Sequence, residues 1–179
     1  MGPVALIRTL RVLTFIITFA AGTASGEVIY RLGSGDKLKV TVYEEKDLSG
    51  RFEVSGEGVV SVPLIGAVNA LGLTIRELEK RIENKLMEGY LRNPKVNIEV
   101  TNYRPFYILG EVKEPGSYPY VNGMSVLNAV ALGGGFTYRA NKRNITLLRA
   151  GRSEGQKQVV SPDTKVLPGD VVRVEERFF

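Results

Sequence analysis

The chain has 179 residues, of which 44% are apolar and 24% are charged, enough to form one ordinary domain or two small ones with buried cores. It contains no cysteine and no histidine, which excludes disulfides, zinc and iron–sulfur sites, thiol nucleophiles and imidazole acid–base chemistry, so we expect no metal site and no cofactor. The formal net charge of +5 lies mainly in residues 104–179, which carry 11 basic and 7 acidic side chains.

Residues 1–26 have the pattern of a secretory signal peptide. Arg8 and Arg11 precede an apolar run at residues 12–21, and small residues follow at 22–26. The run of ten residues is shorter than the roughly 20 that a membrane-spanning helix needs. We therefore expect cleavage after Ala24 or Gly26 and export of the mature protein, with a retained anchor as the alternative. Without cysteine, the mature N-terminus cannot carry a lipid on that residue.

The first mature segment predicts a turn followed by a half-buried strand. Residues 33–36, Gly-Ser-Gly-Asp, have turn composition, and Leu38, Val40 and Val42 share one face of the extended segment that follows. Residues 59–62 and 64–68 predict two short strands around Pro63, which cannot donate to a strand ladder. Residues 95–100 alternate as another strand.

One amphipathic helix is predicted between these strands. Thr74 and Glu77 have the spacing of a capping box, and Gly89 and Pro94 mark the end of the helix. The apolar face repeats at three and four residues, through Ile75, Leu78, Ile82 and Leu86. We interpret the opposite face as solvated surface; it carries Arg76, Glu79, Lys80 and Glu83.

A break near residues 102–105 precedes a second set of elements. Residues 106–112 and 118–121 predict a hairpin around the turn at 114–117. Ser125 predicts the start of a short helix, which ends at the glycines 133–135; we interpret these as a C-cap and tight turn, because a helix C-terminus disfavours anions. Residues 145–148, 158–160 and 170–174 predict further strands.

The two halves share local patterns. Each contains a hairpin followed by a glycine, a capping residue and a helix, and Gly35-Asp36 is echoed by Gly169-Asp170, which we interpret as turn residues. Five aromatic residues could stack on sugar rings, but their alternation favours packing in a core or subunit interface: Tyr103, Phe106, Tyr107, Tyr118 and Tyr120. The repeat predicts an α+β fold of two small related units.

Several motifs in this order resemble the outer-membrane polysaccharide export family. Residues 32–40 with 62–66, 72–74 and 93–96 are similar to the family's N-terminal polysaccharide export domain. Residues 110–116 with 131–137 are similar to the soluble-ligand-binding β-grasp (SLBB) domain that follows it. The resemblance implies a signal peptide at 1–26, a polysaccharide export N-terminal domain at 27–102 and an SLBB β-grasp domain at 103–179.

The resemblance also implies a function in transport. Family members form rings that carry capsular or extracellular polysaccharide from an inner-membrane polymerase and co-polymerase across the envelope. It thus implies a periplasmic homo-oligomer, free or associated with the outer membrane, that is not an enzyme. The chain departs from outer-membrane-spanning members in having neither a cysteine for lipidation nor a C-terminal amphipathic helix. A periplasmic glycan-binding module that forms no pore is therefore the alternative.

One stretch of the second half carries positive charge only. Arg139, Lys142, Arg143, Arg149 and Arg152 occur with no acidic residue between them. A solvated face usually carries both signs, so this stretch is the candidate contact for an anionic polysaccharide, lipid phosphate or partner protein. The alternative is that these residues keep the domain soluble or pair with acids across a subunit interface. We expect the five side chains to gather around one loop and the two ends of the strand at 145–148.

Three other classes of protein fit less well. An eight-stranded membrane barrel would need alternating segments that the predicted helix interrupts. A glycosidase could pair Glu44 or Asp47 with Glu57, but these acids occupy predicted polar turns with nothing to raise a pKa. A nucleic-acid binder is disfavoured by the signal peptide and by the nearly neutral first half, in which 11 basic residues face 12 acidic ones.

Overall fold

The computed structural model describes residues 29–177, and it confirms the α+β class. The predicted signal peptide lies outside the described residues. Up to residue 102 the elements are β1 (Lys37–Val42), β2 (Glu45–Glu53), β3 (Val59–Val62), β4 (Gly66–Asn69), α1 (Ile75–Met87) and β5 (Val96–Asn102). After it come β6 (Phe106–Gly110), β7 (Gly116–Tyr118), α2 (Val126–Leu132), β8 (Ala140–Leu148), a 3-10 turn (Glu154–Gln156), β9 (Gln158–Val160) and β10 (Val171–Glu176).

The first half contains a three-stranded antiparallel sheet and a separate hairpin. The sheet has the order β2-β1-β5, and β3 pairs with β4. The alternation predicted for β1 is confirmed, since Leu38, Val40 and Val42 are all buried. Strand β2 was missed, because only Leu48 of its nine residues is buried. Strand β2 forms because it pairs with β1. Asp47 lies in this strand, so its predicted position in a polar turn was wrong.

Helix α1 begins and packs as its sequence predicts. Thr74 accepts a hydrogen bond from the Glu77 backbone N–H, and the Glu77 carboxylate accepts one from the Thr74 N–H. The pKa of Glu77 is lowered, first by this backbone bond and next by the Thr74 side chain. Leu78, Ile82 and Leu86 are fully buried against the first hydrophobic core. Ile75 packs beside them.

The polar side of α1 is not simply solvated, which corrects the sequence interpretation. The carboxylates of Glu79 and Glu83 accept hydrogen bonds from the backbone N–H groups of Ile98 and Val96, at 2.8 and 3.0 Å. On the other flank, Lys85 donates to the Ala67 carbonyl at 3.1 Å. The helix thus satisfies backbone groups on the outer edge of β5 and on β4. Edge strands with free backbone groups invite pairing with another chain, and these contacts cover them.

The second half contains a five-stranded mixed sheet with the order β7-β6-β10-β8-β9. Strands β6 and β10 are parallel, and the other pairs are antiparallel. Ser125 caps α2 as predicted, and Gly133 is its C-cap residue, followed by two glycines with positive φ. Four predicted strands had wrong bounds: 106–112 is observed as 106–110, 118–121 as 116–118 and 170–174 as 171–176, and 145–148 extends back to residue 140.

Two hydrophobic clusters lie on either side of the β5–β6 connection. One draws its buried residues from positions 32–98 and the other from positions 106–174. Phe106 is fully buried in the second cluster, and Tyr118 packs against it. We call residues 29–102 the first unit and residues 103–177 the second unit; the exact domain limits stay a prediction. Among the described residues, no helix is long and apolar enough to cross a membrane.

Candidate functional site: a basic groove and a unit boundary

The five candidate basic residues do not form one cluster. Strand β8 separates them, with Arg139, Lys142 and Arg143 at its beginning and Arg149 and Arg152 beyond its end. Extended chain rises about 3.3 Å per residue, so Arg143 and Arg149 are roughly 20 Å apart along the strand. We expected all five side chains to lie around one loop and the ends of the strand. They instead form two separate sites with different surroundings.

The first site is a groove beside a bulge in β8. Between the pairs Ile145–Val174 and Ala140–Glu176, β8 advances five residues while β10 advances two. The three extra residues of β8 must leave the ladder, and bulges of this kind redirect side chains. The groove has a volume of about 780 Å³. We name it the β8 groove; its lining includes Tyr138, Asn141, Lys142, Arg143, Asn144 and Arg177.

The cations at this end differ in their partners. Arg139 forms an ion pair with Glu176 of β10, which raises the pKa of the arginine and offsets its positive charge with a carboxylate. The Lys142 ammonium lies 5.6 Å from the centre of the Phe136 ring, and the Arg143 side chain is exposed. Charge excess in the β8 groove therefore comes from residues other than Arg139.

The second site lies at the boundary between the two units. Arg149 pairs with Asp170 at 2.5 Å, and Asp170 is buried. Burial raises the pKa of Asp170, opposed by hydrogen bonds from the Leu167 N–H and by Arg149. Arg152 lines a shallow pocket of about 290 Å³ next to this pair. Arg149 thus has a structural partner, supplied by the Gly169-Asp170 turn.

The echoed Gly-Asp turns are confirmed as turns and share one hydrogen-bond pattern. In each, the aspartate accepts a bond from the backbone N–H three residues earlier, at 2.8 Å for Asp36 and 2.7 Å for Asp170. Each glycine has a positive φ, and each aspartate is buried beside an arginine. The partner of Asp36 is Arg104, at 2.9 Å, which lies in the connection between the units.

Arg104 joins the two units and was not found from the sequence. The Arg104 guanidinium donates hydrogen bonds to Asp36 and to the Tyr30 hydroxyl. It also lies against two glycines. A Cβ added to Gly33 would lie 2.4 Å from Arg104 Nη1, and a Cβ added to Gly169 would lie 2.6 Å from Arg104 Nε. A side chain at either glycine would therefore displace the Arg104 guanidinium. We call this arrangement the Arg104 clasp. Nothing in the local sequence pairs Arg104 with Asp36, 68 residues away.

Aromatic packing reinforces the boundary. Tyr103 makes edge contacts with Tyr30 of the first unit and Tyr120 of the second, with ring centres 5.1 and 5.3 Å apart. Burial, followed by the hydrogen bond with Asp36, raises the pKa of Tyr30 far above its ordinary value. Packing is therefore the role that the structure gives Tyr103 and Tyr120, as predicted. Tyr107 differs, because it is 43% exposed and lines a boundary cleft of about 640 Å³.

Comparison with known families matches both halves of the chain. Residues 25–101 match the family described as polysaccharide biosynthesis/export protein, and residues 105–161 match the SLBB domain. The chain belongs to the polysaccharide export family. The resemblance inferred from the sequence motifs is thereby confirmed, with its two domains in the predicted order.

Relatives of this family member are named for export, transport or production of polysaccharide. The chain is 37% identical over 145 residues to the exopolysaccharide production protein ExoF of Rhizobium meliloti (strain 1021), covering 72% of this chain and 34% of that protein. It is 29% identical over 108 residues to the polysialic acid transport protein KpsD of Escherichia coli, covering 59% and 19% respectively. It is 28% identical to the EPS I polysaccharide export outer membrane protein EpsA of Ralstonia nicotianae, covering 83% and 48%. The chain thus spans less than half the length of each.

Proposed function

We propose that this protein is a periplasmic component of a capsular or extracellular polysaccharide export machine. The observation that carries the proposal is the ordered pair of domains, polysaccharide export followed by SLBB, in a chain whose relatives are named for polysaccharide export and transport. The proposed role is transport without bond-making chemistry. The acids considered for glycosidase chemistry support this, because Asp47 lies on an exposed part of β2 and Glu44 and Glu57 are also exposed.

We further propose that the protein assembles into a homo-oligomeric ring that acts with an inner-membrane polysaccharide co-polymerase. A head-to-tail contact between copies generates a ring when the rotation between neighbours closes, and an open filament when it does not. The Arg104 clasp and the Tyr103 contacts support this, because they join the two units through buried polar and aromatic interactions. A chain that presents both units in one orientation can repeat the same contact from copy to copy.

The basic residues have the proposed role of contacting the anionic polysaccharide or a partner protein. Arg139 and Arg149 are ion-paired in the structure, so their contribution is to hold the ends of β8 in place. Lys142, Arg143 and Arg152 are the members that face solvent without an ion pair to a described residue. Repetition of their charge around a ring would produce a positive rim, which raises the local concentration of a polyanion.

The second candidate function is a periplasmic glycan-binding module that forms no pore. The β8 groove favours it, because a single copy already presents cations, amides and an exposed aromatic side chain on one surface. Oligomeric state separates the two candidates.

The decisive experiment combines export, assembly and partner binding. Deletion of the gene in its own host should reduce secreted polysaccharide, and the wild-type gene should restore it. The purified mature protein should give a discrete oligomer in sedimentation velocity and native mass spectrometry, and should co-purify with the co-polymerase. Leu78→Asp supplies a negative control, because an unpaired carboxylate at this fully buried position should unfold the first unit.

Two outcomes would contradict the proposal. A monomer at all concentrations that fails to co-purify with the co-polymerase, yet retains glycan binding, would replace the ring proposal with the binding module. Unchanged polysaccharide secretion in the deletion strain would refute the export role itself.

A further inference from the structure

The β8 groove combines three kinds of side chain on one surface. Tyr138 is 86% exposed, and it stands in the turn that leads into β8. Asn141 and Asn144 flank Lys142 and Arg143 in the bulged segment. An aromatic face, amide groups and cations therefore line one open volume, which lies within the range of roughly 300–1,000 Å³ typical of ligand sites.

The bulge is what brings these residues together. In a regular strand, four consecutive side chains would alternate between the two faces of the sheet. Residues 141–144 instead lie in the stretch where five positions of β8 span two of β10, and all four line the groove. A feature that interrupts sheet pairing to place four polar residues along one groove costs ladder hydrogen bonds. Solubility alone does not require it.

The acids near the groove are already engaged. Glu176 binds Arg139, and Glu111 accepts a hydrogen bond from the Thr137 hydroxyl at 2.5 Å. The residues that line the groove include no acid. The Lys142 ammonium, held over the Phe136 ring, and the exposed Arg143 therefore present positive charge that is not ion-paired with any described residue.

We propose that the β8 groove binds an acidic sugar residue, with the sugar face on Tyr138 and its carboxylate on Lys142 and Arg143. This deepens the export role and rests on the proposed function for its biological ligand. The C–H face of a sugar complements the negative face of an aromatic ring, and guanidinium groups bind carboxylates in a planar, two-point geometry. The amides of Asn141 and Asn144 both donate and accept, which suits sugar hydroxyls.

The groove favours an acidic glycan over a lipid headgroup. A membrane surface needs cations spread over a face with apolar residues that insert between lipids. Here the cations line a groove whose other side chains are polar apart from Tyr138 and Ala140, with no apolar group large enough to insert into a bilayer beside them. The protruding Tyr138 ring beside the cations Lys142 and Arg143 matches one acidic monosaccharide residue of a chain.

The test compares an acidic oligosaccharide with a neutral one. Hexagalacturonate and maltohexaose have the same length and α-1,4 linkage, and isothermal titration calorimetry measures their binding to the mature protein. We expect hexagalacturonate to bind and maltohexaose to bind at least about tenfold more weakly, because charge-assisted hydrogen bonds are about twice as strong as neutral ones. The affinity for hexagalacturonate should fall as salt is raised.

Variants identify the groove as the site. The double variant Lys142→Gln/Arg143→Gln should weaken hexagalacturonate binding at least about tenfold, and Tyr138→Ala should weaken it severalfold at unchanged charge. The matched control is Arg76→Gln/Lys80→Gln, which removes the same two charges from the exposed side of α1 and should leave binding unchanged. Circular dichroism melting confirms that each variant is folded.

Three results would overturn the proposal: equal binding of the two oligosaccharides, an equal loss in the control variant, or no binding of either sugar. Binding to phosphatidylglycerol vesicles that the double variant abolishes, without binding of hexagalacturonate, would assign the groove to lipid instead. None of these measurements depends on ring formation or secretion. The export role can therefore be refuted while acidic-sugar binding in the groove is confirmed, and acidic-sugar binding can be refuted while the export role is confirmed.

Discussion

Single residues hold the two units together through buried charge. Asp36 and Asp170 are both almost completely buried, and each is paired with an arginine and bonded to backbone N–H groups. A buried carboxylate is tolerated only when such partners compensate for its lost hydration. The two turns thus stabilise a buried aspartate in the same way, with an arginine and backbone N–H groups. The turn at Asp36 lies at the boundary between the units, where Arg104 binds it.

Replacement of Arg104 by Ala should destabilise the protein strongly. The substitution leaves the Asp36 carboxylate buried without its cation, a change that costs about 3–5 kcal/mol in comparable pairs. Lys39→Ala is the control, because its pair with Glu99 is exposed on both sides and spans 3.9 Å. Such surface pairs contribute about 0–1 kcal/mol. Urea denaturation measures both, and similar losses in the two variants would contradict the structural role of Arg104.

The capping box of α1 predicts a specific pH dependence. The folded pKa of Glu77 lies below its unfolded value of about 4.3, so the charged carboxylate stabilises the fold above that pH. This contribution is lost as the pH falls through the lowered folded pKa. The stability difference between wild type and Glu77→Gln should therefore be present at pH 7 and shrink below about pH 4. A difference that stays constant across thermal melts from pH 7 to pH 3 would contradict it.

At the scale of elements, α1 acts as more than an amphipathic helix. Its apolar face fills the first core, while its flanks carry carboxylates toward the N–H groups of β5 and a lysine toward a carbonyl of β4. The polarity of each flank matches the backbone groups that it meets. These bonds occupy two N–H groups on the outer edge of β5 that would otherwise be open to pairing with another chain.

Removal of the two carboxylates should reopen the β5 edge. In Glu79→Ala/Glu83→Ala, the N–H groups of Ile98 and Val96 lose their acceptors, at a cost of about 1–3 kcal/mol for each buried donor left unpaired. Hydrogen exchange of these two amides should accelerate, and aggregation should increase. The matched variant Glu79→Gln/Glu83→Gln keeps an acceptor oxygen at each position and should behave nearly as wild type. Equal exchange in both variants would show that charge, not the acceptor, protects the edge.

At the scale of the whole molecule, assembly depends on how the units are joined. A ring requires each copy to present its two contact surfaces at a fixed relative angle. The clasp passes between Gly33 and Gly169, and neither position leaves space for a Cβ. The proposed ring should therefore be sensitive to substitutions that touch no neighbouring copy.

Gly169→Ala should impair assembly more than it impairs folding. The added methyl group would lie 2.6 Å from Arg104 Nε, at a residue whose φ of +82° already disfavours side chains, so the clasp must shift. Sedimentation velocity should show fewer oligomers, while circular dichroism should show both units folded. Gly155→Ala is the control, since nothing lies within 4 Å of its added Cβ. Oligomers of normal size in Gly169→Ala would show that the clasp does not set the assembly geometry.

The sequence by itself determined the family, the α+β class, the capped helices and the turns. These features depend on neighbouring residues: a capping box spans four positions, and alternation in β1 needs only six. Strand β2 could not be predicted from the sequence, because its mostly polar segment forms a strand only by pairing with β1. The tertiary structure alone separated the basic residues, tied Arg139 and Arg149 to acids from β10 and its preceding turn, and created the bulge that exposes Lys142 and Arg143. Those outcomes depend on ladder register and on partners distant in the chain, which local composition does not encode.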